Sequence, residues 1–294
     1  MTGWRRYFAL LCLGVATACC RFAAPATAAP AVAAAVKPAQ TFPPDIQKII
    51  NRGTLIVAMT AGNLAPFHMV KDGRVTGLGA QLAEGLAKAL GVRVTYDLSS
   101  RTFDGVIDQV AEGKADIAIS KISRSLKRSR RVLFSRPYVK LYHAILINRF
   151  WWENAIKDQS MAAVIRGFTG RVGVIAHSAF VGYAHRAMPK ADIVGYPTWK
   201  DVIAALADGK VTAIYRDELS MKEVVQDHPA LALHVKTVAL VNYVDNVCMA
   251  LGPDDFHLQQ LVNIYLDDLH LHLTATTLLR RYQRIEAARK EASR

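Results

Sequence analysis

Thr102-Phe103-Asp104-Gly105-Val106-Ile107, leading to Gly113-Lys114 and Ile117-Ala118-Ile119, decides the fold, because the pattern returns about 96 residues later. The second copy reads Thr198-Trp199-Lys200-Asp201-Val202-Ile203, then Gly209-Lys210 and Ala213-Ile214-Tyr215. Each copy predicts a helix capped by its Thr, with an inward apolar stripe (Val106, Ile107, Val110 and Val202, Ile203, Leu206), closed at Gly and followed by a strand. A helix–strand unit that occurs twice predicts two similar lobes.

Outward from the repeat, short β-branched runs alternate with helical periods, the pattern of an α/β architecture. Strands are predicted at 55–59, 92–97, 116–120, 172–176, 192–196 and 213–215. Between the first two, Leu78, Leu82, Leu86 and Leu90 recur every fourth residue up to Gly91, one buried helix face. In open α/β sheets ligands sit beyond the carboxyl ends of the strands. The repeat offset sets Lys121 of one copy against Asp217 of the other, so both are predicted to look into a cleft between the lobes.

The chain has 294 residues, 52% hydrophobic and 21% charged, which excludes a disordered, collagen-like or disulfide-stapled protein. No apolar run reaches the roughly 18–20 residues of a spanning helix. Arg5 and Arg6, an apolar stretch over 8–20 and the small-x-small site Ala26-Thr27-Ala28 predict a secretory signal at 1–28, followed by an Ala/Pro-rich linker at 29–41. A lipid anchor through Cys19 and a twin-arginine signal at Arg5-Arg6 are the variants of that reading. Cleavage would leave Cys248 as the sole thiol, placed by its apolar neighbours in a buried strand, with no internal disulfide and no cysteine-based metal site. Three Arg in the first 28 residues and nine Lys or Arg in 117–152 carry all but one unit of the +13 net charge. The basic segment reads as a solvated face. It lacks interleaved stacking aromatics, so nucleic acid is not an expected partner. His270 and His272 are two apart and face different sides of a helix, so no metal site is predicted.

Several ordered pieces together resemble the family 3 extracellular solute-binding proteins, the periplasmic amino-acid receptors of ABC transporters. They are Arg52-Gly53-Thr54-Leu55-Ile56-Val57, Ala65-Pro66-Phe67, Gly77, Leu90-Gly91-Val92, Gly113-Lys114-Ala115-Asp116, Ser123-Arg124-Ser125 with Arg128, Phe134-Ser135-Arg136-Pro137-Tyr138, Gly170-Arg171-Val172-Gly173-Val174 and Asp217. The resemblance implies a two-lobe, type II clamp, each lobe a mixed sheet flanked by helices. Lobe 1 would be discontinuous (42–147 plus 242–291), lobe 2 would span 148–241, and hinge strands would cross at 144–148 and 238–245.

An α-carboxylate needs donors, which Arg128 offers as a bidentate fork, Ser123 as a hydroxyl, and the short helix capped by Ser125 as free N–H groups. An α-ammonium needs an acceptor that stays ionised in a partly buried cleft, and Asp217 fits, its plainer role being a helix cap ahead of Glu218. These positions match the family's binding residues, as does Phe103, an aromatic that packs on the ligand or belongs to the core. Ser120 and Ser178 join them as candidate contacts at strand and helix ends.

Departures from the pattern bear on the ligand. Ala61 stands where the family commonly has Asp, Leu64 replaces an aromatic, and His177-Ser178-Ala179 replaces Gly-Thr-Thr. A basic side chain would therefore lack its acidic partner. Lys121, where small residues are usual, favours an anionic group if it points inward and is merely solvated if it lies on the rim. His177 is either a contact or a helix-flanking surface residue.

The expected function is non-catalytic: periplasmic capture of a small amino acid or related carboxylate for delivery to ABC-transporter membrane subunits, by a monomer without cofactor. The alternatives are a cyclohexadienyl-dehydratase-like enzyme using Glu218 or His177 as proton donor, and a clamp whose degenerate pocket serves a sensory or partner-binding role.

Overall fold

The computed structural model describes residues 41–271 and 273–292. The predicted signal and almost all of the linker lie outside these residues. In chain order the elements are α1 (Pro44–Arg52), β1 (Thr54–Ala58), β2 (Met69–Lys71), β3 (Arg74–Thr76), α2 (Leu78–Leu90), β4 (Arg93–Asp97), α3 (Phe103–Ala111), β5 (Ile117–Ser123), a 3-10 turn (Arg128–Arg130), β6 (Leu133–Phe134) and β7 (Val139–Asn148). There follow α4 (Arg149–Ala155), α5 (Met161–Gly167), β8 (Arg171–Ile175), α6 (Ala179–Ala187), β9 (Asp192–Tyr196), α7 (Trp199–Ala207), β10 (Ala213–Asp217), α8 (Glu218–Asp227), α9 (Pro229–Ala232), β11 (Val235–Leu251), α10 (Phe256–Asp268) and α11 (Ala275–Ala292).

One sheet runs through the chain in the order β4-β1-β5-β11-β7-β10-β8-β9, with β6 paired to β11, and β2-β3 form a separate hairpin. The flanks are parallel, β4-β1-β5 on one side and β10-β8-β9 on the other. The two central strands β7 and β11 pair antiparallel to each other and to their neighbours. Two lobes follow from where the apolar residues gather. Leu55, Val57, Leu86, Ile117, Met249 and Val262 anchor the first core, extended on the other sheet face by Val106, Val110 and Ala118. In the second lobe, alternate residues of β7 serve opposite faces. Ile145 and Ile147 pack with Val172, Val174 and Tyr215, while Ala144 and Leu146 pack with Val202, Ala205 and Ile214. A continuous apolar run is what a strand covered on both faces requires.

The repeat folds as its residues predict. The Thr102 hydroxyl accepts from the Gly105 N–H, and Thr198 accepts from Asp201 in a full capping box. Just past each helix, Gly113 and Gly209 both have φ +70°, a left-handed turn that only glycine enters freely.

Three features differ from expectation. The strand predicted at 116–120 continues to Ser123, with Lys121 at φ +52° inside it, so Lys121 and Ser123 lie within the strand and not beyond its end. The crossing strands are longer than 144–148 and 238–245, and between Leu240 and Val244 β11 carries residues with no partner on β7. Such a local excess bends a strand. The helix expected after Ser125 is only a 3-10 turn, and the Ser125 hydroxyl already accepts the Arg128 N–H. Cys248 is buried in β11, as its neighbours suggested, and burial pushes its thiol up to about 12.

Candidate functional site

The cleft is assembled from element ends. Lobe 1 contributes Lys121 and Ser123 from β5, Phe103 from the first turn of α3, and Arg128 from the 3-10 turn. Lobe 2 contributes Ser178 and Phe180 at the start of α6, and Tyr215, Arg216 and Asp217 from β10. Asp245 enters from the crossing strand β11. These side chains close around a cavity of about 10 Å³, room for about one water molecule.

Arg128 is only 4% exposed. Its Nε–H and Nη2–H donate to Asp104 Oδ1 at 3.0 and 2.8 Å, and its Nη1 donates to the Ser123 carbonyl at 3.0 Å. A guanidinium has five N–H donors, so two are unspent.

Asp217 is fully buried. Its Oδ1 caps α8 by accepting the Ser220 N–H at 3.0 Å, and its Oδ2 accepts from the Ser220 hydroxyl at 3.0 Å. The same Oδ2 is 2.8 Å from Lys121 Nζ and 3.5 Å from Arg216 Nε. Burial alone would raise this carboxyl. The Lys121 and Arg216 charges and the Ser220 N–H outweigh it and hold the group down at about 2. Lys121 Nζ also donates to Ser220 Oγ at 3.1 Å and lies 5.1 Å from the centre of the Phe67 ring. Lys121 is therefore not a rim residue.

Asp245 is the counterpart in the opposite sense. Its Oδ2 accepts the Ser123 hydroxyl at 3.0 Å, and its Oδ1 is buried without a hydrogen-bond partner. Burial, with the Asp217 charge adding to it, pushes the carboxyl up to about 7 against the pull of Ser123, Lys121 and Arg128. Glu223 behaves alike, raised to about 7 by burial, with Oε1 unpartnered.

Several contacts join the lobes, three of them directly beside the cleft. Those three are the Lys121–Asp217 pair, the Asp104 N–H on the His177 carbonyl at 3.1 Å, and the Tyr183 hydroxyl on the Arg124 carbonyl at 2.6 Å.

Of the residues singled out from sequence, Phe103, Lys121, Ser123, Arg128, Ser178 and Asp217 meet around this space, and Leu64, Ser120 and His177 do not. Leu64 bridges to His68 in a loop, and the buried Ser120 hydroxyl accepts the Thr60 N–H. The His177 side chain is exposed, at φ +54°. Glu218, the other suggested proton donor, accepts the Tyr142 N–H and pairs with Lys222. Sequence reasoning missed Asp245, Phe180, Tyr215 and Arg216. Only Arg216, adjacent to Asp217, carried a usable signal. Seven of the nine basic residues of 117–152 are exposed, as a solvated face requires, and two are not. Lys121 and Arg128 are buried in the cleft, and Lys127, Arg131 and Arg136 pair with Asp104, Asp108 and Asp267. Among the described residues no cluster of three or more His, Cys, Asp or Glu could hold a metal, and no helix is long and apolar enough to cross a membrane.

Two lobes on one sheet, joined by two crossing strands and closing over an ionic cleft, define a type II binding-protein fold. Residues 56–283 match the bacterial extracellular solute-binding proteins, family 3, and the chain belongs to that family. It is 24% identical over 179 residues to the arginine-binding periplasmic protein of Mannheimia haemolytica, covering 60% of this chain and 69% of that one. It is 27% identical to the L-cystine-binding protein TcyJ of Escherichia coli (strain K12), covering 62% of this chain and 65% of that one. It is 26% identical to the cyclohexadienyl dehydratase of Pseudomonas aeruginosa, covering 64% and 69%. Matches thus span about two thirds of these relatives' lengths.

Among solved structures, the ancestral amino acid-binding protein AncCDT-1, a precursor of cyclohexadienyl dehydratase, superposes with TM-score 0.62 at 28% identity, covering 81% of this chain and 98% of that one. The substrate-binding protein AbpA of Streptococcus pneumoniae, bound to L-arginine, gives 0.65 at 24% identity, covering 81% and 98%.

Proposed function

We propose that this chain captures a small carboxylate-bearing solute between its lobes and delivers it to the membrane subunits of an ABC transporter, without chemical conversion. The observation that carries this is Arg128, a guanidinium buried at the cleft with two N–H donors unspent beside the Ser123 hydroxyl. A buried cation with open donors binds an anion more strongly than one in water, because little solvent competes. The moving bodies are lobe 1 at 42–147 plus 242–291 and lobe 2 at 148–241. Hinge bending occurs at 144–148 and 238–245, and the unpaired stretch of β11 next to Val244 supports that placement. The chain works as a monomer in the periplasm, exported by residues 1–28. Isothermal titration with a panel of amino and organic acids tests the reading. One member binds, and Arg128→Ala weakens that binding at least 100-fold. Indifference to Arg128→Ala across the panel rejects it.

A second reading, a dehydratase on the same clamp, gains support from Asp245, a buried carboxyl with a free oxygen and a pKa near neutrality, suited to protonating a leaving hydroxyl. Turnover of prephenate or arogenate that disappears in Asp245→Asn would favour it over capture.

A further inference from the structure

A cleft that takes an α-amino acid must leave one anionic acceptor open for the ammonium. Asp217 is the carboxylate placed for that role, and its own chain has filled it. Four donors surround its two oxygens, namely Lys121 Nζ, the Ser220 N–H, the Ser220 hydroxyl and, more distantly, Arg216 Nε. The carboxylate has no exposed surface.

Lys121 makes the contacts a bound ammonium would make. Its Nζ lies against a carboxylate oxygen at 2.8 Å, a hydroxyl at 3.1 Å and an aromatic face at 5.1 Å, with the side chain 5% exposed. Its backbone holds φ +52° in the middle of a strand, a conformation that lysine does not favour and that the surrounding sheet must enforce. The cation arrives from lobe 1 and its partner belongs to lobe 2, so the pair also occupies the position where a ligand would join them. A tethered ammonium has an effective concentration far above that of a free solute. Expelling it would leave either a buried lysine or a buried carboxylate to be compensated anew.

The opposite pole is not filled in the same way, because Arg128 keeps two donors after engaging Asp104 and Ser123. We infer that Lys121 is a built-in occupant of the ammonium subsite, and that the cleft takes small carboxylic acids lacking an α-amino group, such as 2-oxo acids or dicarboxylates. This rests on the capture reading above and narrows its ligand. The remaining open acceptor is Asp245 Oδ1, which lies on the Ser123 side of the cleft. Were an ammonium to bind there, wild type would prefer amino acids, an outcome the experiment registers.

The test is calorimetric titration of the full chain with matched pairs: L-glutamate and 2-oxoglutarate, L-aspartate and succinate, L-alanine and pyruvate. Wild type should bind at least one amino-free member ten-fold or more tighter than its amino partner. Lys121→Ser, which vacates the subsite and frees Asp217, should gain at least ten-fold for the amino partner. A circular-dichroism melt checks that this variant folds.

A wild-type preference for the amino acid, or an unchanged preference in Lys121→Ser, overturns the inference while leaving capture intact if Arg128→Ala abolishes binding. If no acid binds to wild type or to Lys121→Ser, the inference and the capture reading fall together.

Discussion

The two copies of the helix–strand unit use the same scaffold and present opposite charges to the cleft. In both, a Thr-capped helix packs through a β-branched stripe, turns at a glycine with φ +70° and feeds a strand. They part at the strand's last residues. The first strand continues through a left-handed Lys121 to Ser123, whereas the second stops at Asp217, which turns the chain into α8 by capping it. The lesson is that packing sets the frame and a few residues at the carboxyl end of a strand set the chemistry. Here those residues neutralise each other across the lobes.

The largest effect expected from breaking this symmetry is at Asp217. Asp217→Ala strands Lys121 in the interior and should lower stability by about 3–5 kcal/mol in urea titrations at neutral pH. Lys121→Ala should cost less, because Asp217 retains Arg216 and both Ser220 donors.

The next effect comes from comparing the cleft's two buried acids, which titrate in opposite senses. Asp245 is raised from 3.8 to about 7 on folding. Between those values the folded state holds a proton that the unfolded chain has released, so its contribution is intact below pH 4 and lost as pH rises through 7. Asp245→Asn, which does not titrate, should exceed wild type by about 2–4 kcal/mol at pH 8, with the gap closing toward pH 4. Asp217, lowered to about 2, contributes above pH 4 and loses its share as pH falls toward 2. Stability curves of wild type and Asp245→Asn across pH 2–8 check both signs, Asp217 below pH 4 and Asp245 above it.

Smaller still is the difference between the helix caps. Thr102→Ala should cost about 1 kcal/mol. Thr198→Ala should cost a few tenths more, since it also breaks the reciprocal bond to Asp201. Thermal melts of the two single variants compare them directly.

Much of the frame was legible because it is periodic. The stripes, the capping threonines and the glycines recur at one offset, and burial follows the period. The offset also set Lys121 against Asp217, and the structure joins them at 2.8 Å. Asp245 was not legible. It lies in an extended strand with no motif around it, and neither its burial nor its unpaired oxygen follows from its neighbours in sequence. The basic run hides two inward members, Lys121 and Arg128, for a related reason. Charge density along a chain does not tell which members a 3-10 turn and a left-handed strand residue will turn inward.

A high-resolution crystal structure of the chain with its bound solute tests the central claim most directly. The account predicts a ligand carboxylate about 3 Å from both Nη atoms of Arg128, with Lys121 still seated on Asp217. A ligand ammonium resting on Asp217, with the Lys121 side chain swung out of the cleft, would contradict it.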